Sequence, residues 1–395
     1  LNEQIAGLNP GDAEYAARSV DAVLAAARNA GASDVHFQPT ANGLELKYRI
    51  DGVLMTVAAF PAAVSVNIIA RLKVLAGLLT YHTDRPQEGR IRLPQDDVEM
   101  RVCTFPTLHG ERTVVRLFGG MQRYQHLDTL GLPDDVLNTL RGQLSETSGA
   151  ILVSGPAGSG KTTTLYACLR EITRHGGGAR SLVSIEDPIE VAVEGVAQSQ
   201  VNGPAGLDLA SGLRFLMRQD PEVIMVGEIR DRATADAALQ ASLTGHLLLS
   251  TFHAGSAAET VGRLLDMGIE PYVLRSGLLA IVNQRLLRRL CSCATPTDDA
   301  DDRLGLAVER VMAPRGCERC GGTGYFGRFL LAEILTFSRT ELAHAILARS
   351  ETAAIERLAI EAGMTSRWQR AIQAVEAGLT SPAEVRRVLG FSGEV

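Results

Sequence analysis

Apolar residues recur along this chain at helical spacing in some stretches and at strand spacing in others, and the two alternate. Between Tyr15 and Ala30 an alanine-rich stretch repeats at helical intervals. Shorter runs at Val35–Gln38 and Leu44–Ile50, the second closed by the Asp51-Gly52 turn signal, predict strands. The uncharged stretch Val53–Ala70 is divided by Pro61 into a strand-like and a helix-like half, and its Thr56, Ser65 and Asn67 argue against a membrane span. A helix over Ala62–Leu79 and strands near Arg90–Leu93, Glu99–Phe105 and Arg112–Phe118 complete a small α+β domain over residues 1–118. Gly119 and Gly120 mark a linker over residues 119–124.

Beyond the linker the pattern becomes continuous apolar runs separated by helical segments, as in a parallel sheet covered on both faces. The runs Ala150–Ser154, Ser181–Ile185, Glu222–Val226 and Leu247–Thr251 each end in polar or glycine-rich sequence. In open α/β sheets the ligand crevice lies at the carboxyl ends of the strands, so those endings are where chemistry is expected. This α/β core is expected over residues 125–290, followed by a cysteine-bearing module over 291–325 and a region that reads as helical from 326 to 395.

Composition narrows the function classes. With 395 residues, 46% of them apolar and 21% charged, the chain has the material for two or three folded domains. The net charge of −6 argues against a general electrostatic grip on nucleic acid. Lysine is confined to Lys47, Lys73 and Lys161, so a lysine at a chemical motif stands out. No Arg-led apolar segment with a small-residue cleavage site opens the chain, which predicts no export, and a start at Leu1 leads us to expect an upstream region outside this sequence. Four of the six cysteines, Cys291, Cys293, Cys317 and Cys320, cluster in a way that reads as metal before disulfide. Cys103 and Cys168 lie in apolar surroundings and are expected to be buried packing residues.

The run Gly155-Pro156-Ala157-Gly158-Ser159-Gly160-Lys161-Thr162, with Thr163 next, follows a predicted strand and precedes a predicted helix at P-loop spacing. Its glycines let backbone N–H groups turn inward around a phosphate, and the helix N-terminus adds partial positive charge. Lys161 is then expected to reach the β and γ phosphates of ATP, and Thr162 to offer a hydroxyl to Mg²⁺. Glu186 and Asp187 end the next strand. Glu228 ends the one after, with Gly227 where such motifs often place an aspartate. We expect Glu228 to orient the attacking water and Glu186, with Thr162, to hold Mg²⁺ directly or through water. His253 ends the last strand on the phosphate side and is expected to sense the γ-phosphate; His246, at the far end, reads as structural.

Together these blocks resemble the secretion ATPases of type II secretion systems and type IV pilus assembly. The resemblance rests on Gly155 to Thr163, on Ser184-Ile185-Glu186-Asp187-Pro188-Ile189-Glu190, on Leu216 through Asp231, and on Thr244-Gly245-His246 through Thr251-Phe252-His253-Ala254. Ala32-Ser33-Asp34-Val35-His36, Tyr48 through Val53, Arg85 through Ile91, and Arg101-Val102 through Arg112 are similar to that family's N2 domain. The resemblance implies a RecA-like P-loop NTPase core behind a PAS-like N2 domain, assembled as a homo-hexameric ring with ATP sites between the two. It implies arginines at the phosphates, and by motif position these are Arg90, Arg101, Arg214 and Arg218. Arginine suits the task because its rigid, permanently charged fork matches phosphate oxygens. Arg230, just after Glu228, reads instead as a structural ion-pair partner.

The family carries two Cys-x-x-Cys pairs around Zn²⁺. Cys317-Glu318-Arg319-Cys320 matches the second pair, whereas Cys291-Ser292-Cys293 is one residue short, so a structural Zn²⁺ there needs a different local turn. The resemblance further implies a cytoplasmic enzyme, peripheral to the inner membrane through a membrane platform and an adaptor protein, with no membrane span and no nucleic acid of its own. It leaves secretion and pilus extension open. A nucleic-acid-translocating P-loop ATPase is the alternative, and it lacks the basic channel and stacking aromatics such a motor needs, with Trp368 the single tryptophan.

Overall fold

The computed structural model describes residues 8–92, 99–117, 124–175, 180–337 and 340–391. The chain divides into two compact units, residues 1–123 and 124–395. The anticipated linker falls almost wholly outside the described residues.

In the first unit, helix α1 (Tyr15–Asn29) precedes strands β1 (Asp34–Thr40), β2 (Gly43–Ile50) and β3 (Val53–Pro61). Helix α2 (Ala62–Leu75) and strands β4 (Gln87–Arg92), β5 (Glu99–Thr107) and β6 (Gly110–Leu117) follow. All six strands form one antiparallel sheet in the order β3-β2-β1-β6-β5-β4. Val20, Val23 and Leu24 of α1 and Ile68 and Leu72 of α2 join Val35, Phe37, Leu46, Val102 and Val115 in one core. Strand alternation turns Asp34, His36, Arg101, Arg112 and Arg116 to the other sheet face. Cys103 stands on that face and is exposed, contrary to the expectation from its apolar neighbours, because Met100, Val102 and Thr104 take the inward positions of β5. Cys168 is buried as expected.

The second unit begins with α3 (Asp134–Leu144), β7 (Gly149–Ser154), α4 (Lys161–His175), β8 (Leu182–Glu186) and β9 (Val196–Gln200). It continues through α5 (Leu209–Leu216), β10 (Val223–Val226), α6 (Arg232–Leu243), β11 (Leu247–Phe252), α7 (Ala257–Asp266), α8 (Pro271–Gly277) and β12 (Leu278–Leu290). A two-stranded ribbon of β13 (Thr295–Thr297) and β14 (Val311–Ala313) precedes β15 (Tyr325–Thr336). Helices α9 (Thr340–Leu347), α10 (Thr352–Glu361), α11 (Arg367–Glu376) and α12 (Pro382–Leu389) close the chain.

Seven of these strands make one sheet in the order β15-β12-β7-β11-β10-β8-β9. Every pairing is parallel except that of β15 with β12. The four anticipated strands are present, but β9 and β12 were not foreseen, and the segment read as helical from residue 326 is a strand to Thr336. A run such as Phe329–Leu335, apolar but for Glu333, satisfies either period, and the ladder supplied by β12 decides for the strand. The cysteine-bearing module is therefore an insertion into the β12–β15 hairpin. Trp368 packs with Leu287, Leu331 and Val385 under that hairpin, so the lone tryptophan is a core residue. No helix among the described residues is long and apolar enough to cross a membrane.

Candidate active site and metal centre

Strand β7 delivers the glycine loop to the N-terminus of α4. Gly155 has a φ of +148°, and a Cβ there would lie 2.5 Å from the Gln284 carbonyl oxygen and 2.6 Å from Ser159 Oγ, so no larger residue fits. Pro156, Ala157 and Gly158 are exposed at the loop's crest; Ser159 is buried, and Thr162 and Thr163 are half-buried in the first turn of α4. Lys161 folds back and its Nζ donates to the carbonyls of Gly155 and Pro156, each at 3.0 Å. Burial pushes its pKa down to about 8, with Glu228 opposing and Arg285 adding to the fall. An ammonium this short of water gains from an incoming anion.

The acidic side comes from the next two strands. Parallel register sets Val226 of β10 beside Ser250 of β11, and Ser250 beside Leu152 of β7, so all three ends open together. Glu228 Oε1 lies 2.9 Å from His253 Nε2, and Arg230 Nε donates to Glu228 Oε2 at 2.8 Å. Burial, then the charge of Lys161, holds the His253 pKa below its ordinary value against the pull of Glu228. A neutral imidazole facing a carboxylate carries its proton on Nε2 and donates it. The glycine before Glu228 also has a reason: a Cβ on Gly227 would stand 3.3 Å from the Glu186 Cα, tighter than side chains ordinarily pack. Lys161, Glu228 and His253 thus converge from three neighbouring strands.

Glu186 behaves otherwise. Its carboxylate is buried and accepts hydrogen bonds from the Tyr166 hydroxyl, from Ser184 Oγ at 2.7 Å and from Gln198 Nε2 at 2.9 Å. With both oxygens engaged it ties α4 to β8 and β9, and direct ligation of a cation does not fit this geometry. Asp187 is half exposed, with Arg230 NH1 4.0 Å away. His246 Nδ1 lies 3.1 Å from the Ala241 carbonyl, a turn contact at the far end of β11. Arg214 and Arg218 are exposed on and just after α5. In the first unit Arg90 is register partner to Arg101, which pairs with Glu88 and faces Arg116 across β5 and β6.

Sequence reasoning missed the strand that braces the loop. Gln284 on β12 is fully buried; its Nε2 donates to the Ser159 carbonyl at 2.7 Å, and its Oε1 accepts from Thr164 Oγ1 at 2.9 Å. Asn283 Nδ2 donates to Ser154 Oγ at 2.9 Å, and Arg285 NH2 to the Gly255 carbonyl at 2.7 Å. The visible signal was three consecutive polar residues inside an otherwise apolar run, since buried polar groups in a strand need partners.

The four cysteines meet at the base of the inserted module. Their Sγ atoms lie within 4.8 Å of one another, with Cys291–Cys317 at 3.8 Å, Cys317–Cys320 at 3.7 Å and Cys293–Cys320 at 4.0 Å. Tetrahedral ligation at a Zn–S distance of about 2.3 Å requires sulfur separations of about 3.8 Å, so the set fits such an ion. The short Cys-x-Cys pair closes through a turn in which the Ala294 N–H donates to the Cys291 carbonyl at 2.9 Å. Against a desolvation that raises it, N–H donors from Cys317 and Gly324 help pull the Cys320 thiol down to about 6. A thiolate is the form a metal binds.

These features have relatives. The family model described as "Type II/IV secretion system protein" matches residues 10–387. The chain belongs to this family. It is 40% identical over 390 residues to the "Putative type II secretion system protein E" of Escherichia coli (strain K12), covering 96% of this chain and 78% of that one. It is 36% identical over 385 residues to the "Type IV pilus assembly ATPase PilB" of Thermus thermophilus, covering 95% of this chain but 43% of the longer relative. Among solved structures, the Legionella pneumophila ATPase DotB is similar with a TM-score of 0.69 at 21% identity, covering 94% of this chain and 95% of that chain. The pilus retraction motor PilT with bound ADP is similar with a TM-score of 0.65 at 23% identity, covering 94% of this chain and 97% of that chain. At such identities these two likenesses speak for the fold, and the RecA-like core is the fold they share. The family is one of secretion and pilus-assembly ATPases.

Proposed function

We propose that this chain hydrolyses ATP and, as a ring of identical subunits, powers assembly of a pseudopilus or pilus. The observation that carries the reading is the convergence of Lys161, Glu228 and His253 at the carboxyl ends of three adjacent strands. Residues 155–163 cradle the phosphates, with Lys161 leaving the Gly155 and Pro156 carbonyls for phosphate oxygens. Glu228 holds the attacking water and takes up its proton, while the neutral His253 donates to Glu228 and keeps the carboxylate aimed. Mg²⁺, when bound, would neutralise phosphate charge, and the Thr162 hydroxyl would be the group that holds it. Arg90, Arg101, Arg214 and Arg218 serve as further phosphate-charge partners in the assembled ring. Glu186 acts at one remove, by fixing α4.

The chain is proposed to work in the cytoplasm, at the inner membrane, through a platform protein and an adaptor rather than through a span of its own. Six-fold assembly is tested by the mass of the purified protein with Mg²⁺ and a non-hydrolysable ATP analogue, and turnover by phosphate release. A protein that stays monomeric with the analogue and releases no phosphate from MgATP contradicts the motor. Zn²⁺ is proposed at Cys291, Cys293, Cys317 and Cys320 as a closed structural site without a catalytic position. Elemental analysis is expected to find about one zinc per chain, falling towards zero in Cys317→Ser, because a tetrahedral site depends on all four ligands. Native protein with four freely titrating thiols and no zinc would remove that assignment.

A further inference from the structure

The loop that carries His253 is held by side chains from three elements. On α7, Arg263 donates to the His253 carbonyl, and Glu259 Oε2 accepts from the Gly255 N–H at 2.6 Å. On β12, Asn283 donates to the Ala254 carbonyl at 3.3 Å and Arg285 to that of Gly255. The third element is β15, through Glu333. Its Oε1 accepts from the N–H of Ala257, the first residue of α7, at 2.9 Å, and its Oε2 from the N–H of Arg367, the first residue of α11, at 2.7 Å. Register places Glu333 directly opposite Asn283.

Glu333 has no exposed surface at all. A carboxylate in such a place costs solvation unless it is fully bonded, and burial does raise its pKa, with Arg367 and the two N–H donors opposing. What compensates is the meeting of two helix N-termini, each presenting a backbone donor and a partial positive charge to one anion. The Arg367 guanidinium lies 3.7 Å from Glu333 and continues to Glu356 of α10 at 2.7 Å. One side chain thus bonds both the helix that follows the His253 loop and the helix that opens the last part of the chain. Neither packing nor capping of α11 alone needs a group with two acceptors at this point.

We propose that Glu333 is a positioning residue for turnover, tying the loop of His253 to the first turn of α11 so that the His253–Glu228 contact depends on the C-terminal helices. The role rests on the ATPase reading above. In Glu333→Gln the amide accepts one N–H and turns its own NH₂ towards the other, so the link between Ala257 and Arg367 is broken at one end at nearly constant volume. Misplacement by about 1 Å is enough for large rate losses, so kcat is expected to fall about tenfold or more, with affinity for a fluorescent ADP analogue within about threefold of wild type.

The deciding measurement is a double-mutant cycle of Glu333→Gln with His253→Ala, read as phosphate release. If Glu333 acts through His253, Glu333→Gln adds almost no loss in the His253→Ala background. Wild-type turnover in Glu333→Gln, or the same proportional loss with and without His253, overturns the proposal. Thermal melting monitors the fold; should Glu333→Gln not fold, Glu333→Asp, which keeps the charge but is one methylene shorter, goes through the same cycle and decides. A wild-type protein that releases no phosphate overturns the ATPase reading, and this role with it, before any variant is compared.

Discussion

Replacing Glu228 with glutamine is expected to lower ATP turnover by about 10²–10³-fold while leaving ATP affinity within about threefold. The amide still accepts a hydrogen bond from His253 Nε2, 2.9 Å from the present carboxylate oxygen, so the local geometry survives. It cannot take a proton from water, and it gives up the charge that pairs with Arg230. Because Glu228 also supports the charges of Lys161 and His253, both pKa values are expected to fall further in the variant. Phosphate release and equilibrium binding of a fluorescent ATP analogue separate the two effects. Wild-type turnover in Glu228→Gln would remove Glu228 from the reaction.

Lys161→Ala is expected to weaken ADP binding by about 10–100-fold or more, the cost of losing one or two hydrogen bonds to a charged group at about 1.5–3 kcal/mol each. The pH dependence carries the sharper statement. The lysine titrates at about 8 in the protein as it stands, and a bound polyphosphate raises that value by stabilising the ammonium. Below pH 8 the site is already protonated and affinity is flat. Above pH 8 binding must draw a proton from solution, so the dissociation constant is expected to rise about tenfold per pH unit until the pKa of the bound form is reached. Calorimetry from pH 7 to 9.5 checks both the slope and the proton uptake. A dissociation constant unchanged across that range would mean that Lys161 does not carry the phosphate charge.

Much of the site was legible because its parts are contiguous in the chain. A glycine loop with Lys161 has to follow a strand and open a helix to bind phosphate, so composition and spacing over nine residues identify it without tertiary information. Glu228 and His253 were readable for a related reason: in a parallel sheet every strand presents the same end to the ligand, so an acid or histidine just past an apolar run falls near that end. The cysteine cluster was visible as four thiols in a short span, although the turn that closes Cys291 to Cys293 was not.

What the tertiary structure alone decided depends on partners far apart in sequence. Glu186 and Glu228 look alike as acids after strands, yet Tyr166, Ser184 and Gln198 take up one carboxylate while the other meets His253 and Arg230. Cys103 is exposed because strand alternation outranks local apolarity. Residues 326–336 became a strand because β12 offers a ladder. Gln284 and Glu333 reach the glycine loop and the His253 loop only through that hairpin. Local pattern determined which groups can do chemistry; non-local register determined which of them are free to do it, because a hydrogen-bonding group buried among partners is already spoken for.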